Sequence, residues 1–228
     1  KRSLVVLFAL LSVFALGAQS FVMVNGAEPV SLDPHAVEGV PEHRIYMALF
    51  EGLTISDPRT NRALPGLAES WSFSKDYKTI TFKIRKGVTW SDGVEITADT
   101  VVKSWIRKMD PKNAFQYADL PAGYIAGGMD YLSGKAGPEA LQIKAVDKYT
   151  FQVNLVGPVP FPDMVVHYAF AVVPIHAIEK YGDAWVKKEN WVSNGPFVLS
   201  DYVPQEKVVV TKNPKYWDAK NVGLKSVT

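Results

Sequence analysis

Residues 68–93 read AESWSFSKDYKTITFKIRKGVTWSDG, and this stretch decides the fold class. From Thr79 to Arg85, Ile80, Phe82 and Ile84 alternate with Thr79, Thr81, Lys83 and Arg85, the period of two that a half-buried strand requires. Trp71, Phe73, Tyr77 and Trp90 bracket that strand, and Trp71 and Trp90 are expected in the core. Ser91-Asp92-Gly93 supplies turn chemistry, an Asp that bonds nearby backbone followed by a Gly that tolerates positive φ. The stretch is scaffold and carries no reacting group.

Outward from it, Lys148 to Val156 repeats the alternation, with Phe151, Val153 and Leu155 inward against Gln152 and Asn154. Between the two, Thr97 is placed to cap a helix with Asp99 in its first turn. Val101, Val102, Trp105, Ile106 and Met109 form its apolar stripe, and the helix stops before Asp110-Pro111. A second helix is predicted over Pro41 to Glu51, from the first-turn proline and the spacing of Ile45, Ala48 and Leu49. Phe21 to Asn25 is β-prone, and loop runs from Gly26 to Gly39. A short helix holds Ala177, Ile178 and Tyr181 and closes at Gly182. Asn194-Gly195-Pro196 turns the chain into a strand over Phe197 to Val203, and Val208 to Thr211 and Leu224 to Thr228 read as further strand. Long strands mixed with segregated helices predict a mixed α/β (α+β) fold.

Lys1 and Arg2, the apolar run Leu4 to Leu16 and the small residues Gly17, Ala18 and Ser20 form the three-part pattern of an export leader, expected over residues 1–20. The run is shorter than the roughly 20 residues that span a bilayer. Removing Lys1 and Arg2 with the leader leaves 23 basic residues against 23 acidic ones, a balance that gives no electrostatic footing for nucleic acid or an anionic membrane. The cysteine count is zero, which excludes disulfides, thiolate metal sites, a cysteine nucleophile and a lipid-modified cysteine. Export without a lipid anchor points to the periplasm. The C-terminus stops inside a strand pattern, which reads as a fragment.

Catalytic signatures are sparse. His35, His43, His167 and His176 show neither an HExxH arrangement nor a helical i, i+4 pair, and surface or hydrogen-bonded loop positions are expected for them. There is no G-x-S-x-G elbow and no S-x-x-K. Gly128 to Lys135 lacks the spacing of a phosphate loop, and Ala136 stands where Ser or Thr would hold magnesium. No metal and no cofactor is expected. Six Trp and ten Tyr offer large, rigid contact area for apolar or peptide ligands beyond what the core needs.

The segment Leu32-Asp33-Pro34-His35-Ala36-Val37-Glu38-Gly39-Val40-Pro41-Glu42 sets a carboxylate, Glu38, beside a Gly that permits close backbone approach, just ahead of a helix. Such a loop can present N–H and C=O groups to an extended ligand.

Together, Ala-x-Ser-Trp, Thr-x-Thr-Phe-x-Ile-Arg-x-Gly-Val-x-Trp-Ser-Asp-Gly, Glu179-Lys180-Tyr181-Gly182-Asp183-Ala184-Trp185, Ser193-Asn194-Gly195 and Asn213-Pro214-x-Tyr216-Trp217-Asp218 resemble the bacterial extracellular solute-binding proteins, family 5. The likeness runs from about Val22 to Thr228, and Glu38 to Glu42 resembles the oligopeptide-binding branch. The resemblance implies a periplasmic binding protein-like fold of two lobes that close over the ligand, with an extra inserted domain. By that likeness residues 21–50 and 173–228 build an incomplete first lobe and residues 51–172 the inserted small domain, with the second lobe absent from this chain. It further implies that Glu38 lies near a peptide N-terminus, that Gly39 and Val40 offer backbone to the peptide as an added strand, and that Tyr117 contacts the bound peptide. Phe115-Gln116 departs from the small-residue and proline pattern expected before that tyrosine.

The implied function is a monomeric receptor that captures short peptides and delivers them to an inner-membrane ABC permease, without catalysis. Murein tripeptide or dipeptide is an alternative ligand on the same fold. From other classes, a periplasmic cell-wall peptide hydrolase and a purely structural surface protein remain as rivals.

Overall fold

The structure, a computed structural model, describes residues 19–228. The expected leader therefore lies, up to residue 18, outside the described residues. In chain order the elements are β1 (Ser20–Phe21), α1 (Val40–Leu49), β2 (Thr54–Ser56), β3 (Ala63–Pro65), β4 (Ala68–Phe73), β5 (Thr79–Ile84), α2 (Ala98–Met109), α3 (Asp119–Tyr124), α4 (Gly128–Leu132), β6 (Ile143–Asp147), β7 (Thr150–Asn154), α5 (Phe161–Met164), α6 (Ile175–Tyr181), β8 (Phe197–Val203), β9 (Lys207–Lys212) and β10 (Ser226–Val227). Short 3-10 turns join several of them, among them Tyr168–Phe170. Among the described residues no helix is long and apolar enough to cross a membrane.

The alternating stretch of residues 68–93 folds as a hairpin inside the sheet β4-β5-β7-β6. All its pairings are antiparallel, with Phe82 opposite both Trp71 and Phe151. Ile80, Phe82 and Ile84 are buried on one face together with Phe151 and Val153, as the period of two requires. Trp71 is a correction: it is only half-buried, because β4 is the outer strand and its ring covers the rim of Phe82 at 6.3 Å between centroids. Trp90 is buried as expected. The Asp92-Gly93 turn forms, with Gly93 at φ 99° and Val94 N–H donating to the Asp92 carboxylate.

Helix α2 lies across this sheet. Thr97 precedes it as N-cap, in extended conformation, and Asp99 sits in its first turn. Trp105 is wholly buried, edge-on to Phe151 at 4.9 Å and to Phe170 at 5.5 Å, and its Nε1 donates to Phe170 O at 3.0 Å. A buried indole needs such a partner. The stripe expected on α2 is shifted: the buried residues include Val101, Ser104, Trp105, Lys108 and Met109, while Val102 and Ile106 flank them half-buried.

The second sheet has the order β1-β10-β9-β8. β8 spans the residues predicted for it and pairs with β9 from Phe197↔Lys212 to Val203↔Lys207, with a bulge between Leu199 and Asp201. β1 runs parallel to β10, Ser20 opposite Ser226, and Met23 N–H reaches Thr228 O at 2.9 Å. The strand expected over Phe21 to Asn25 is thus largely a ladder edge, with Val22 and Val24 exposed.

α1 starts at Val40 and ends at Leu49, two residues before the expected end. Its N-terminus is fixed by Glu42, whose carboxylate accepts from Gly39 N–H at 3.1 Å and from Val30 N–H at 2.8 Å. That bond to the N-cap amide is one half of a capping box. Its C-terminus stops because Phe50 turns extended and Asn194 captures the next residue, accepting from Glu51 N–H at 3.1 Å and donating to Glu51 O at 2.9 Å.

Candidate functional site

Ahead of α1, the segment from Asp33 to Gly39 is pinned against the last turn of α2. Arg107 forks onto the Asp33 carboxylate, at 2.6 Å and 3.3 Å. The same guanidinium lies 2.8 Å from His35 Nδ1. Guanidinium only donates, so Nδ1 accepts and the ring proton sits on Nε2, 3.1 Å from Ala171 O. His35 has no exposed surface, and burial pushes its pKa down to about 3, which keeps the ring neutral. It is a hydrogen-bonded loop histidine, as expected, but deep in the interior rather than at the surface. Burial alone would raise the Asp33 carboxyl, yet it is held below the ordinary value by the facing charges, with Arg107 forked onto it and the His35 N–H pointing at it.

Lys108 completes the arrangement. Its side chain is fully buried, and its ammonium donates to His35 O at 2.8 Å and to Gln116 O at 2.6 Å. Burial lowers its pKa to about 8. One ammonium therefore ties the loop before α1 to the loop after α2. The Phe115 ring lies beneath both cations, 4.7 Å from the Arg107 guanidinium and 5.6 Å from Lys108 Nζ.

Residue by residue, the expected ligand contacts come together at one open edge. Glu38 and Val40 are exposed, Val40 at 60%. Gly39 is extended, with φ −154°, so its missing side chain relieves no backbone strain. Tyr117 is 39% exposed, and its hydroxyl reaches Glu38 O at 3.5 Å. Its ring stands edge-on to His167 at 5.9 Å and Tyr168 at 5.8 Å. Tyr117 and Ala114 both hold positive φ, 59° and 48°, a strained conformation for residues with a side chain. Val40 is the first residue of α1, so its carbonyl belongs to the helix ladder. Its N–H is one of the first-turn donors without a partner inside the helix, and that is the backbone group it can present outward.

A second polar centre went unnoticed in the sequence. Glu51 is buried, and its carboxylate accepts from Trp217 Nε1 at 2.7 Å and from the Tyr216 hydroxyl. The Arg85 guanidinium lies 3.7 Å over the Trp217 ring. Burial pushes the Glu51 carboxyl up to about 7, against the pull of the Tyr216 and Trp217 hydrogen bonds and the Arg85 charge. Gly195 N–H donates to Leu49 O and Asn213 Nδ2 donates to Gly195 O. The motifs Ser193-Asn194-Gly195 and Asn213 to Trp217, read as turns, are thus the grip on Glu51 and the end of α1. Glu51, His43, Tyr46, His167 and Tyr216 line a cavity of about 440 Å³. Spacing would have found Lys108, since positions 101, 104, 105 and 108 share one helical face. A lysine in that row signals a buried ammonium with partners.

Residues 62–228 match the family described as bacterial extracellular solute-binding proteins, family 5 Middle. The chain is 44% identical over 212 residues to the periplasmic oligopeptide-binding protein OppA of Salmonella typhimurium, covering 92% of this chain and 39% of that protein. It is 40% identical over 211 residues to a probable deoxycholate-binding periplasmic protein, YgiS, of Escherichia coli, covering 92% of this chain and 39% of that one. The crystal structure of Haemophilus influenzae OppA in complex with RPPGFSPFR superposes with a TM-score of 0.89 at 41% identity, covering 92% of this chain and 41% of the other. The chain therefore spans about two-fifths of the length of these relatives. With the family matched over most of its residues, the chain belongs to the bacterial extracellular solute-binding proteins of family 5.

Proposed function

We propose that the protein carrying this chain is a monomeric periplasmic receptor that captures short peptides and delivers them to an inner-membrane ABC importer, without catalysing a reaction. The observation that carries this reading is the edge itself: Glu38 is exposed, Val40 opens α1 with a helix-start N–H that has no partner inside the helix, and the half-exposed Tyr117 meets Glu38 O. A carboxylate suits a peptide ammonium, a free N–H suits a peptide carbonyl, and an aromatic face takes side chains of many kinds. Recognition of main chain and terminus rather than side-chain shape accepts many sequences. The peptide complex of the 41% identical relative supports the same class of ligand.

In this reading residues 21–50 and 173–228 belong to the first lobe and residues 51–172 to the inserted domain. A leader precedes them. A second ligand class, a bile salt, is suggested by the relative named for deoxycholate. Calorimetry on the complete protein with tri- to pentapeptides, deoxycholate and nickel in parallel separates the readings. Micromolar or tighter peptide binding is expected, with neither of the others competing. Tight deoxycholate or nickel binding with no response to any peptide would overturn the proposal.

A further inference from the structure

We infer that Lys108 and Arg107 are positioning residues for capture: the last turn of α2 sets the separation between the Glu38 loop and Tyr117. The inference rests on the peptide reading and adds to it the device that holds the binding edge in shape.

Three observations carry it. Lys108 is the direct link between the two loops, since its ammonium donates both to His35 O, three residues before Glu38, and to Gln116 O, next to Tyr117. Arg107, one residue earlier, fixes the same loop through Asp33 and His35 Nδ1 and rests on Phe115 of the other loop. The loop being held is strained, with Ala114 and Tyr117 in the left-handed region. Strained backbone persists only where its surroundings over-determine it. The Tyr117 hydroxyl meets Glu38 O at 3.5 Å, at the outer limit of a hydrogen bond. That contact cannot hold the loops together by itself. The two cations behind it do so.

The stem of Lys108 runs along the core face of α2 beside Trp105, and its head meets carbonyls. A methionine fills much of that volume while removing the donor. The His35 carbonyl would then be left buried without its partner and the Gln116 carbonyl would lose its tie to it, and the Tyr117 loop would be free to relax toward ordinary backbone angles, moving the ring away from Glu38.

The test is a double-mutant cycle on the complete protein, reading peptide affinity by calorimetry and unfolding by heat in parallel. Tyr117→Ala and Lys108→Met are each expected to weaken a tripeptide by about tenfold, the scale of one lost aromatic or polar contact. In the Lys108→Met background, Tyr117→Ala is expected to cost less than about twofold further, because the ring is no longer held at the edge. A merely structural lysine would lower the unfolding temperature and leave the Tyr117→Ala factor unchanged. Phe115→Leu, which keeps every hydrogen bond and removes only the ring under the two cations, takes the place of Lys108→Met in the same cycle if that variant does not fold. Equal Tyr117→Ala factors in both backgrounds, or an unaltered affinity in Lys108→Met, would overturn the positioning role while leaving the peptide reading intact. Failure of the unsubstituted protein to bind any peptide would overturn the peptide reading and this inference with it.

Discussion

At the scale of single residues, two of the buried ionisable groups, His35 and Glu51, are treated in opposite ways. His35 is kept neutral, with a pKa near 3, below its ordinary 6.5. The folded state refuses a proton that the unfolded chain accepts, so this group costs stability as pH falls below about 6.5. Glu51 is raised from 4.5 to about 7. The folded state holds its proton more tightly, so its contribution is complete below about 4.5 and is lost as pH rises through about 7. Each acts with a slope of about 1.4 kcal/mol per pH unit inside its own window, and between about 4.5 and 6.5 the two slopes oppose. Glu51→Gln removes one of them. Urea unfolding of the complete protein from pH 5 to pH 8 is expected to show the wild type losing ground to Glu51→Gln as pH rises, by on the order of 2 kcal/mol across the range. A difference that stays constant with pH would mean that Glu51 is ionised throughout.

The residue scale is also where the sequence was least legible. Glu38, Gly39, Val40 and Tyr117 were named from a resemblance, and the fold sets them at one edge. Lys108 and Glu51 escape such a reading, and so does the depth of His35, because a periodicity that counts only apolar side chains is blind to polar ones inside. Burial of a charge depends on partners far apart in sequence, such as Glu51 with Tyr216 and Trp217, and no local pattern contains them.

At the scale of elements, the strands were the readable part. β5 and β8 were legible to within a residue because each has a buried face, and a slip of one residue would turn that face to water. β1 was over-read, since a β-prone sequence needs a partner strand along its whole length. The end of α1 was misplaced for a similar reason: the helix is cut by Asn194 and Gly195, contributed from more than a hundred residues away. That junction is tight. A Cβ on Gly195 would lie 2.5 Å from the Leu49 carbonyl carbon and 2.6 Å from Phe50 N, and backbone cannot step aside as a flexible side chain can. Gly195→Ala is expected to destabilise the protein by about 3 kcal/mol, read from the shift of the denaturant midpoint at unchanged slope. A loss under about 0.5 kcal/mol would show that α1 can shift to admit the methyl group.

At the scale of the whole molecule, the signature around residues 68–93 lies within the family match and stands apart from the edge that carries Glu38, Val40 and Tyr117. Its sheet and helix α2 form a rigid platform. From the far end of α2, Arg107 and Lys108 reach the loops that carry Glu38 and Tyr117, so scaffold and edge are joined through two cations, Lys108 buried and Arg107 half-buried. The family's members span more than twice this length, and a receptor reading asks of this chain only that it supply one wall of a closing site. That wall has an acidic end at Glu38.

The most direct test compares a free-amine tripeptide with its N-acetyl form by calorimetry, on the complete protein and on its Glu38→Gln variant. The wild type is expected to prefer the free amine and Glu38→Gln to reduce that preference by about tenfold, the scale of one charge-assisted contact, with little change for the acetylated peptide. Equal preference in both proteins, or no binding of either peptide, would contradict this expectation.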